Sequence, residues 1–207
     1  MRYFISDLHF CHSNIINIDG RSFSDCSEMN KHMIEKWNSV VSKNDEVYIL
    51  GDFSTGTPEE TNSILHQLNG SKYLIKGNHD SYIKSQSFER ELFVWIKNYA
   101  EIKVDNRKVI LCHYPIVCYN GQFHIADNGG FDVYMLYGHI HNSPDELMLS
   151  RFISETKSTI RKDRLGNDFN VPCNLINCFC MFSDYTPLTL DGWIKNDVDR
   201  RSSVLTV

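Results

Sequence analysis

Five short groups of Asp, Asn and His are spread along the chain, and these residue types are the ones that bind metal ions. In chain order the groups are Asp7-Leu8-His9, Gly51-Asp52, Gly77-Asn78-His79-Asp80, His113 and Gly138-His139-Ile140-His141. Carboxylate oxygens combined with neutral imidazole nitrogens suit Mn, Fe, Zn or Ni, whereas oxygens alone would suit Mg or Ca. A single D-x-H or G-H-x-H group arises easily by chance, so the metal-site hypothesis depends on all five groups meeting in one place.

Each group directly follows a segment that is typical of a β-strand. The five apolar segments are residues 2–6, 47–50, 72–75, 107–112 and 131–137. Helices are predicted between the early ones: an amphipathic helix over 27–41, and a helix over 58–68 that begins with a capping box at Thr57. A strand–helix–strand order indicates parallel strands, whose carboxyl ends meet at one crevice. We therefore expect the five groups to lie together.

The second half of the chain is predicted to add antiparallel structure. Residues 99–104 and 107–112 flank Asp105-Asn106, which is typical of a hairpin turn. The later segments are predicted as a helix over 145–163, a loop over 164–170, a strand or strand pair over 171–182, and a short helix over 190–196. The residues alone thus indicate a layered α/β domain.

Composition and charge narrow the class of protein. The chain has 207 residues, 42% hydrophobic and 23% charged, which favours one globular domain over a disordered or fibrous chain. A net charge of -5 argues against binding of long nucleic acid, although a local basic groove stays open as an alternative. No apolar run approaches the roughly 18 residues of a membrane span, and the N-terminus does not resemble a signal peptide. We expect a cytoplasmic protein with reduced thiols, and the sequence indicates no particular oligomeric state.

The number of candidate ligands indicates a two-metal centre. One ion would use about four of these groups, and the surplus favours two ions that share a bridging carboxylate. The five groups resemble the blocks of the calcineurin-like metallophosphoesterases, namely D-x-H, G-D, G-N-H-D, a single H and G-H-x-H, in the family's order. The resemblance implies one domain over residues 1–207, folded as a four-layer αββα sandwich of two mixed β-sheets.

The resemblance also implies a role for each site residue. The first metal would be held by Asp7, His9 and His141, the second by Asn78, His113 and His139, with Asp52 bridging the two. Mn is the expected metal, and Fe, Zn and Ni are alternatives. His79 would hydrogen-bond a phosphoryl oxygen or protonate the leaving group, with Asp80 holding its ring, and Asn78 would also contact substrate.

The spacing within the groups predicts local geometry. Two residues separated by one position, such as Asp7 and His9, can both enter one cleft if their backbone is extended. Gly138 is expected to adopt a positive φ at its turn. The extended first block, D-L-H-F-C-H-S-N, resembles a small bacterial and phage subgroup of the family. Within it, His12 and Asn14 are interpreted either as substrate contacts or as groups that cap the next helix and orient the ligands.

The resemblance implies hydrolysis of phosphate esters by a water that divalent cations activate. The protein phosphatase branch usually has G-D-x-x-D-R-G, whereas residues 51–56 here are G-D-F-S-T-G and contain no arginine. Without that bidentate clamp, phosphodiesters such as a nucleotide, cyclic nucleotide or short nucleic acid are favoured as substrates. The alternative is a phosphomonoesterase, acting on small molecules or proteins, with the same site. A non-catalytic scaffold is disfavoured because every expected ligand position is intact.

Overall fold

The computed structural model describes residues 1–126, 130 and 132–204. The helices are α1 (Ser13–Asp19), α2 (Cys26–Val40), α3 (Pro58–Gln67), α4 (Pro144–Ser158) and α5 (Leu190–Val204). The strands are β1 (Arg2–Ile5), β2 (Glu46–Ile49), β3 (Ser71–Ile75), β4 (Phe93–Lys97), β5 (Tyr99–Val104), β6 (Arg107–Cys112), β7 (Val133–Tyr137), β8 (Ile160–Lys162), β9 (Asp168–Asn170) and β10 (Leu175–Asn177). Part of the strand predicted from residue 131 lies outside the described residues.

Two four-stranded sheets form the centre of the molecule. The first has the order β1-β2-β3-β4 with parallel neighbours, and an antiparallel bridge from Phe4 to Leu188 makes its β1 edge mixed. The second has the order β10-β7-β6-β5, in which only β5 runs antiparallel to its neighbour. The predicted hairpin is confirmed, because Asp105 and Asn106 join β5 to β6 with φ values of 48° and 67°.

The alternation of side chains along the strands builds four layers. In β1, Ile5 packs with the apolar faces of α1, α2 and α3, whereas Phe4 points into the core between the sheets. In β6, Leu111 faces that same central core, and Ile110 faces α4 on the outside. Trp193 of α5 is also buried between the sheets. The predicted α/β sandwich is therefore confirmed.

The helices before the site begin at side-chain caps, and the capping box predicted at Thr57 is present. The Asp25 carboxylate accepts the Glu28 N–H at 2.8 Å, which starts α2. At α3 the Thr57 hydroxyl accepts the Glu60 N–H at 3.2 Å, and the Glu60 carboxylate accepts the Thr57 N–H at 2.8 Å. These bonds satisfy backbone donors that have no partner within the helix, so both helix predictions are confirmed to within a residue or two at each end.

The region after α4 differs from the prediction. The helix expected to reach residue 163 ends at Ser158, because the Ser158 and Thr159 hydroxyls donate to the Glu155 carbonyl and compete with the helical pattern. A small antiparallel pair follows, in which β8 replaces the end of the predicted helix and β9 replaces residues 168–170 of the predicted loop. Its turn is held by the Asp163 carboxylate, which accepts the N–H groups of Leu165 and Asn167.

Three further elements depart from the sequence prediction. The strand expected over 171–182 is only β10, followed by a 3₁₀ turn at Cys180–Ser183. β4, at the edge of the first sheet, was not predicted, and α5 is longer than the helix expected over 190–196. All seven cysteines are free thiols, as expected.

Candidate metal centre

Six of the seven predicted ligands gather into two groups at the carboxyl ends of the strands. Asp7, His9 and His141 form one group and Asp52, His113 and His139 the other, each with its ligand atoms within 4.8 Å of one another. The seventh residue, Asn78, lies beside the second group, with its Oδ1 3.1 Å from His113 Nε2. Loops from both sheets are thus brought together as the strand order predicts.

The Asp52 carboxylate belongs to the second group and also faces the first. Its Oδ2 is 3.7 Å from His9 Nε2 and 3.5 Å from His113 Nε2. Its other oxygen accepts the backbone N–H of His79 at 2.8 Å, which fixes the plane of the carboxylate. One side chain therefore faces a histidine of each group.

The backbone of the ligand residues is left-handed, which corrects the expected extended conformation. The φ values are 55° at Asp7, 53° at His9, 52° at Asp52, 74° at His139 and 47° at His141. Asp and His are among the few residue types, apart from glycine, that are enriched in this region. The pairs thus enter one cleft through tight local turns, while Leu8 between the first two ligands is buried in the core.

Two glycines are required because the backbone passes very close to ligand side chains. A Cβ at Gly77 would lie 2.2 Å from Asp52 Oδ1, and a Cβ at Gly138 would lie 2.5 Å from Asp7 Oδ2. Gly138 is not among the residues with positive φ, so that expectation is wrong. The absence of a side chain at these positions leaves room for the carboxylates.

Hydrogen bonds to Nδ1 orient two of the histidines. The His113 Nδ1–H donates to the Leu50 carbonyl at 2.8 Å, and the His141 Nδ1–H donates to Asp19 Oδ1 at 2.7 Å. A carbonyl or carboxylate oxygen only accepts, so the proton lies on Nδ1 in both rings. Nε2 of each ring is left to face the site, as in metal-binding histidines whose second nitrogen is held by an oxygen.

Sequence reasoning missed Asp19 and Arg21, which support this arrangement. The buried Arg21 guanidinium donates to Asp19 Oδ2 at 2.8 and 3.0 Å. It also donates to the backbone carbonyls of Asp7 at 3.0 Å and Leu8 at 2.7 Å. Gly20, in the left-handed C-cap of α1, turns the chain between the two residues. The sequence does show the order Asp19-Gly20-Arg21 after the first metal block, but this order does not indicate that the arginine is buried.

The charges of the site couple its carboxylates to its histidines. Although burial opposes ionisation, the hydrogen bond and positive charge of His141 hold the pKa of Asp7 below its usual range. Burial lowers the pKa of His9 to about 3, so this ring is neutral with a free lone pair. At His141 burial acts to lower the pKa, but the hydrogen bonds to Asp19 and Asp7 outweigh it and raise the pKa to about 9.

The side chains present fit a divalent transition metal. His9 Nε2 and His141 Nε2 lie only 3.2 Å apart beside the ionised Asp7. Two imidazole nitrogens at this distance are stabilised by a cation or a proton between them. Carboxylate, imidazole and amide donors around one cleft are the mixed set that suits Mn, Fe, Zn or Ni. These residues can hold such ions, whichever of the four is native.

The expected pairing of Asp80 with the His79 ring is wrong. Asp80 is buried, and its two oxygens accept the backbone N–H groups of Gly77 at 2.7 Å, Phe53 at 2.8 Å and Asp52 at 3.0 Å. Burial raises the pKa of Asp80 to about 6, and the three amide donors oppose that shift. Asp80 therefore fixes the two loops that carry Asp52 and Asn78. The His79 ring is exposed, with its centroid 5.2 Å from that of His9.

His12 and Asn14 occupy different positions. His12 Nδ1 lies 3.3 Å from His9 Nδ1, and its ring centroid is 5.9 Å from that of His79. The His12 side chain makes no capping bond to α1, so the capping interpretation is not supported for this residue. Asn14 is exposed on the first turn of α1, and within the described chain its side chain has no hydrogen bond.

Two concave surfaces flank the candidate ligands. On the His141 side a cavity of about 600 Å³ is lined by Ile18, Met181 and Phe182 and by polar residues such as Asn142 and Asp145. On the Asn78 side a cavity of about 470 Å³ has Lys76 and Lys84 in its lining, together with Cys112 and Tyr114. The centre is therefore open on two sides, and the lysines line the side beside Asn78.

The fold and the site together define a class: a layered α/β protein with a carboxylate and imidazole centre where its strands end. The chain belongs to the calcineurin-like phosphoesterase superfamily, whose domain model matches residues 2–155. This match confirms the family expected from the five groups. The family is metal-dependent and acts on phosphate esters.

Similar proteins cover most of the chain. An uncharacterized protein of Methanocaldococcus jannaschii is 33% identical over 93% of this chain and 89% of its own length. The Gene 66 protein of Mycobacterium phage L5 is 30% identical over 79% of this chain and 87% of its own. A crystal structure of a protein of unknown function from Aquifex aeolicus matches with a TM-score of 0.63 and 25% identity, covering 91% of this chain and 94% of that one. Within the described residues, no helix is both long and apolar enough to cross a membrane.

Proposed function

We propose that the protein is a phosphodiesterase that uses two divalent metal ions. Asp7, His9 and His141 would hold one ion, and Asn78, His113 and His139 the other, with Asp52 shared between them. The position of Asp52 carries the proposal, because one of its oxygens faces a histidine of each group at 3.7 and 3.5 Å. Adjacent metals in two-metal hydrolases are about 3.5–4 Å apart, which a single carboxylate can span.

The bound cations would supply Lewis-acid polarisation of the phosphoryl oxygens and a water of lowered pKa. The chain supplies orientation and proton transfer. The His79 backbone is tied to Asp52, and its exposed ring lies beside His9, where it can donate to a phosphoryl oxygen or to the leaving oxygen. The Asn78 amide, beside His113, would bind the same phosphate, and His12, beside His79, would extend the substrate contacts.

The loop after β2 favours a diester over a monoester. Residues 51–56 contain no arginine, and Phe53 and Ser54 within it are fully buried. Arg21 approaches the site, but its guanidinium is buried against Asp19 and two backbone carbonyls. A monoester dianion gains most from a bidentate arginine, whereas a diester carries one negative charge and depends on it less.

Three further features complete the proposal. Mn is the proposed metal, since the donor set mixes carboxylate oxygens with imidazole nitrogens. The burial of Trp193 from α5 between the two sheets supports one domain over residues 1–207. The cytoplasmic location expected from the sequence stays a prediction.

The proposal is tested by comparing hydrolysis of bis-p-nitrophenyl phosphate with that of p-nitrophenyl phosphate, in Mn²⁺ and then in Fe²⁺, Zn²⁺ or Ni²⁺. We expect diester cleavage by the wild type and at least a 100-fold loss, roughly, in Asp52→Asn, since this carboxylate serves both groups. Asp105→Asn, in an exposed turn, is the matched control. A preference for the monoester would make the protein a phosphomonoesterase, and no cleavage with any of the four metals would support a non-catalytic role.

A further inference from the structure

The cavity on the Asn78 side has an unusual combination of charge and shape. Its volume is about 470 Å³, within the range of roughly 300–1,000 Å³ typical of small-molecule sites. Its lining includes Lys76, Lys84, Asn98 and Tyr114, together with Asn78. It therefore begins at a candidate metal ligand and extends away from it. We call this surface the lysine groove.

The lysine groove presents positive charge. Neither Lys76 nor Lys84 has an ion pair with any residue of the described chain, in contrast to Lys36 and Lys108, which pair with carboxylates. Asp80 also lines the groove, but it is only 2% exposed and both its oxygens accept backbone N–H groups. Within the described residues, the two ammonium groups thus have no carboxylate as an ion-pair partner.

An aromatic ring joins the lysine groove to the metal centre. The Tyr114 ring meets the His139 ring edge to face, with centroids 4.5 Å apart, and Tyr114 is 47% exposed. An exposed aromatic face next to cations is the combination that proteins use to bind unpaired nucleotides, with the base on the ring and the phosphate on the cation. A purely anionic ligand would need the lysines but not the ring.

We propose that the lysine groove binds the nucleotide next to the scissile phosphate, with its base on Tyr114 and its outer phosphate on Lys76 and Lys84. The inference rests on the proposed phosphodiesterase function and narrows its substrates to short single-stranded oligonucleotides that carry a further phosphate. The net charge of -5 is compatible with this class, because a short strand needs only a local basic surface.

The test compares substrates that differ by one phosphate. In Mn²⁺, kcat/KM is measured for the dithymidylates pTpT, TpTp and TpT, and the value for each phosphorylated strand is divided by the value for TpT. Both phosphorylated strands are used because the outer phosphate of the substrate can be at its 5′ or its 3′ end. We expect at least one ratio to be about 10 in the wild type and close to 1 in Lys76→Ala/Lys84→Ala. The control Lys43→Ala/Lys103→Ala changes two exposed lysines that lie away from the strand ends carrying the site, and it should keep the wild-type ratio.

A binding measurement separates failure of this inference from failure of the proposed function. Calorimetric titration of the metal-free proteins with pTpT and TpTp needs no hydrolysis, and we expect the double lysine variant to bind the preferred strand about 10-fold more weakly than the wild type. Equal binding by the two proteins, or an equal loss for TpT and the phosphorylated strands, overturns the inference. If bis-p-nitrophenyl phosphate is not cleaved but the binding difference is found, the lysine groove stands and the phosphodiesterase proposal fails.

Discussion

Asp19 holds the ring of His141, with its Oδ1 2.7 Å from Nδ1. This contact directs His141 Nε2 towards Asp7, whose Oδ1 lies 3.6 Å away. Arg21 holds Asp19 in turn and also binds the backbone carbonyl of Asp7. The end of α1 and the loop after it thus position two candidate ligands, His141 through its ring and Asp7 through its backbone.

Replacing Asp19 by Asn should weaken metal binding without preventing folding. The variant keeps the shape of the side chain but loses the charge that holds Nδ1–H, and such losses cost about 10- to 100-fold in metal affinity. Mn²⁺ affinity is measured by isothermal titration calorimetry, and the His141 ring is followed by ¹⁵N NMR for a change of tautomer. Asp105→Asn is the control. Unchanged affinity with an unchanged ring spectrum would show that Asp19 has no positioning role.

Replacing Asp80 by Ala should destabilise the protein strongly. It would leave the N–H groups of Gly77, Phe53 and Asp52 without their acceptor in a buried place, and we expect a loss of about 3 kcal/mol or more. Urea unfolding measures the free energy. Asp163→Ala is a matched control, since Asp163 also accepts backbone N–H groups but is exposed, and it should cost less than about 1 kcal/mol. Similar losses in the two variants would contradict the structural role of Asp80.

Replacing Gly77 by Ala should damage the site more than the fold. The new Cβ would lie 2.2 Å from Asp52 Oδ1 and 2.5 Å from its backbone nitrogen, so the carboxylate must move. A displacement of about 1 Å at a reacting group can cost about 100-fold in rate, whereas overpacking usually costs about 1–3 kcal/mol of stability. Diester hydrolysis and thermal unfolding are measured together. Gly192→Ala, with its nearest contact at 3.2 Å, should keep wild-type hydrolysis; full activity in Gly77→Ala would show that this close approach is not needed.

Metal should stabilise the folded chain, and its removal should reverse the effect. A ligand at 100 times its Kd adds about 2.7 kcal/mol per site, which for a chain of this size raises Tm by about 5–10 °C. Differential scanning calorimetry is run with Mn²⁺ and again after EDTA. The Asp7→Asn/Asp52→Asn variant lacks both carboxylates and should show little shift. A full shift in that variant would place the stabilising ion elsewhere.

The positions of the ligands could be predicted because they depend on strand ends. Val47 to Leu50 and the other apolar runs are readable as buried strands, and Asp52, His113 and His139 follow such strands within two residues. Parallel pairing then brings distant residues together without further information. The same logic predicted the central sheets, whose alternating faces are built by residues such as Phe4 and Ile5.

What the sequence did not reveal depends on contacts between loops. The carboxylate of Asp80 is adjacent to His79 in sequence, yet it faces three backbone amides, and no pattern encodes that choice. Arg21 could not be recognised as buried, because its partners include the carbonyls of Asp7 and Leu8, which every residue carries. The end of α4 was likewise set by the Ser158 and Thr159 hydroxyls and not by apolar spacing.

The left-handed backbone at the candidate ligands has a consequence for how this chain tolerates mutation. Each such residue stores on the order of 1–3 kcal/mol of strain, and glycine or asparagine at Asp7, His9 or His139 would relieve part of it. Random substitution filtered only for folding would therefore erode the ligand positions early. A lineage that no longer needs the site would accumulate these substitutions, and its protein would become more stable but lose the metal ligands. The acids and imidazoles at these positions are therefore less favourable for stability than glycine would be, and only a use for the site gives a reason for their presence.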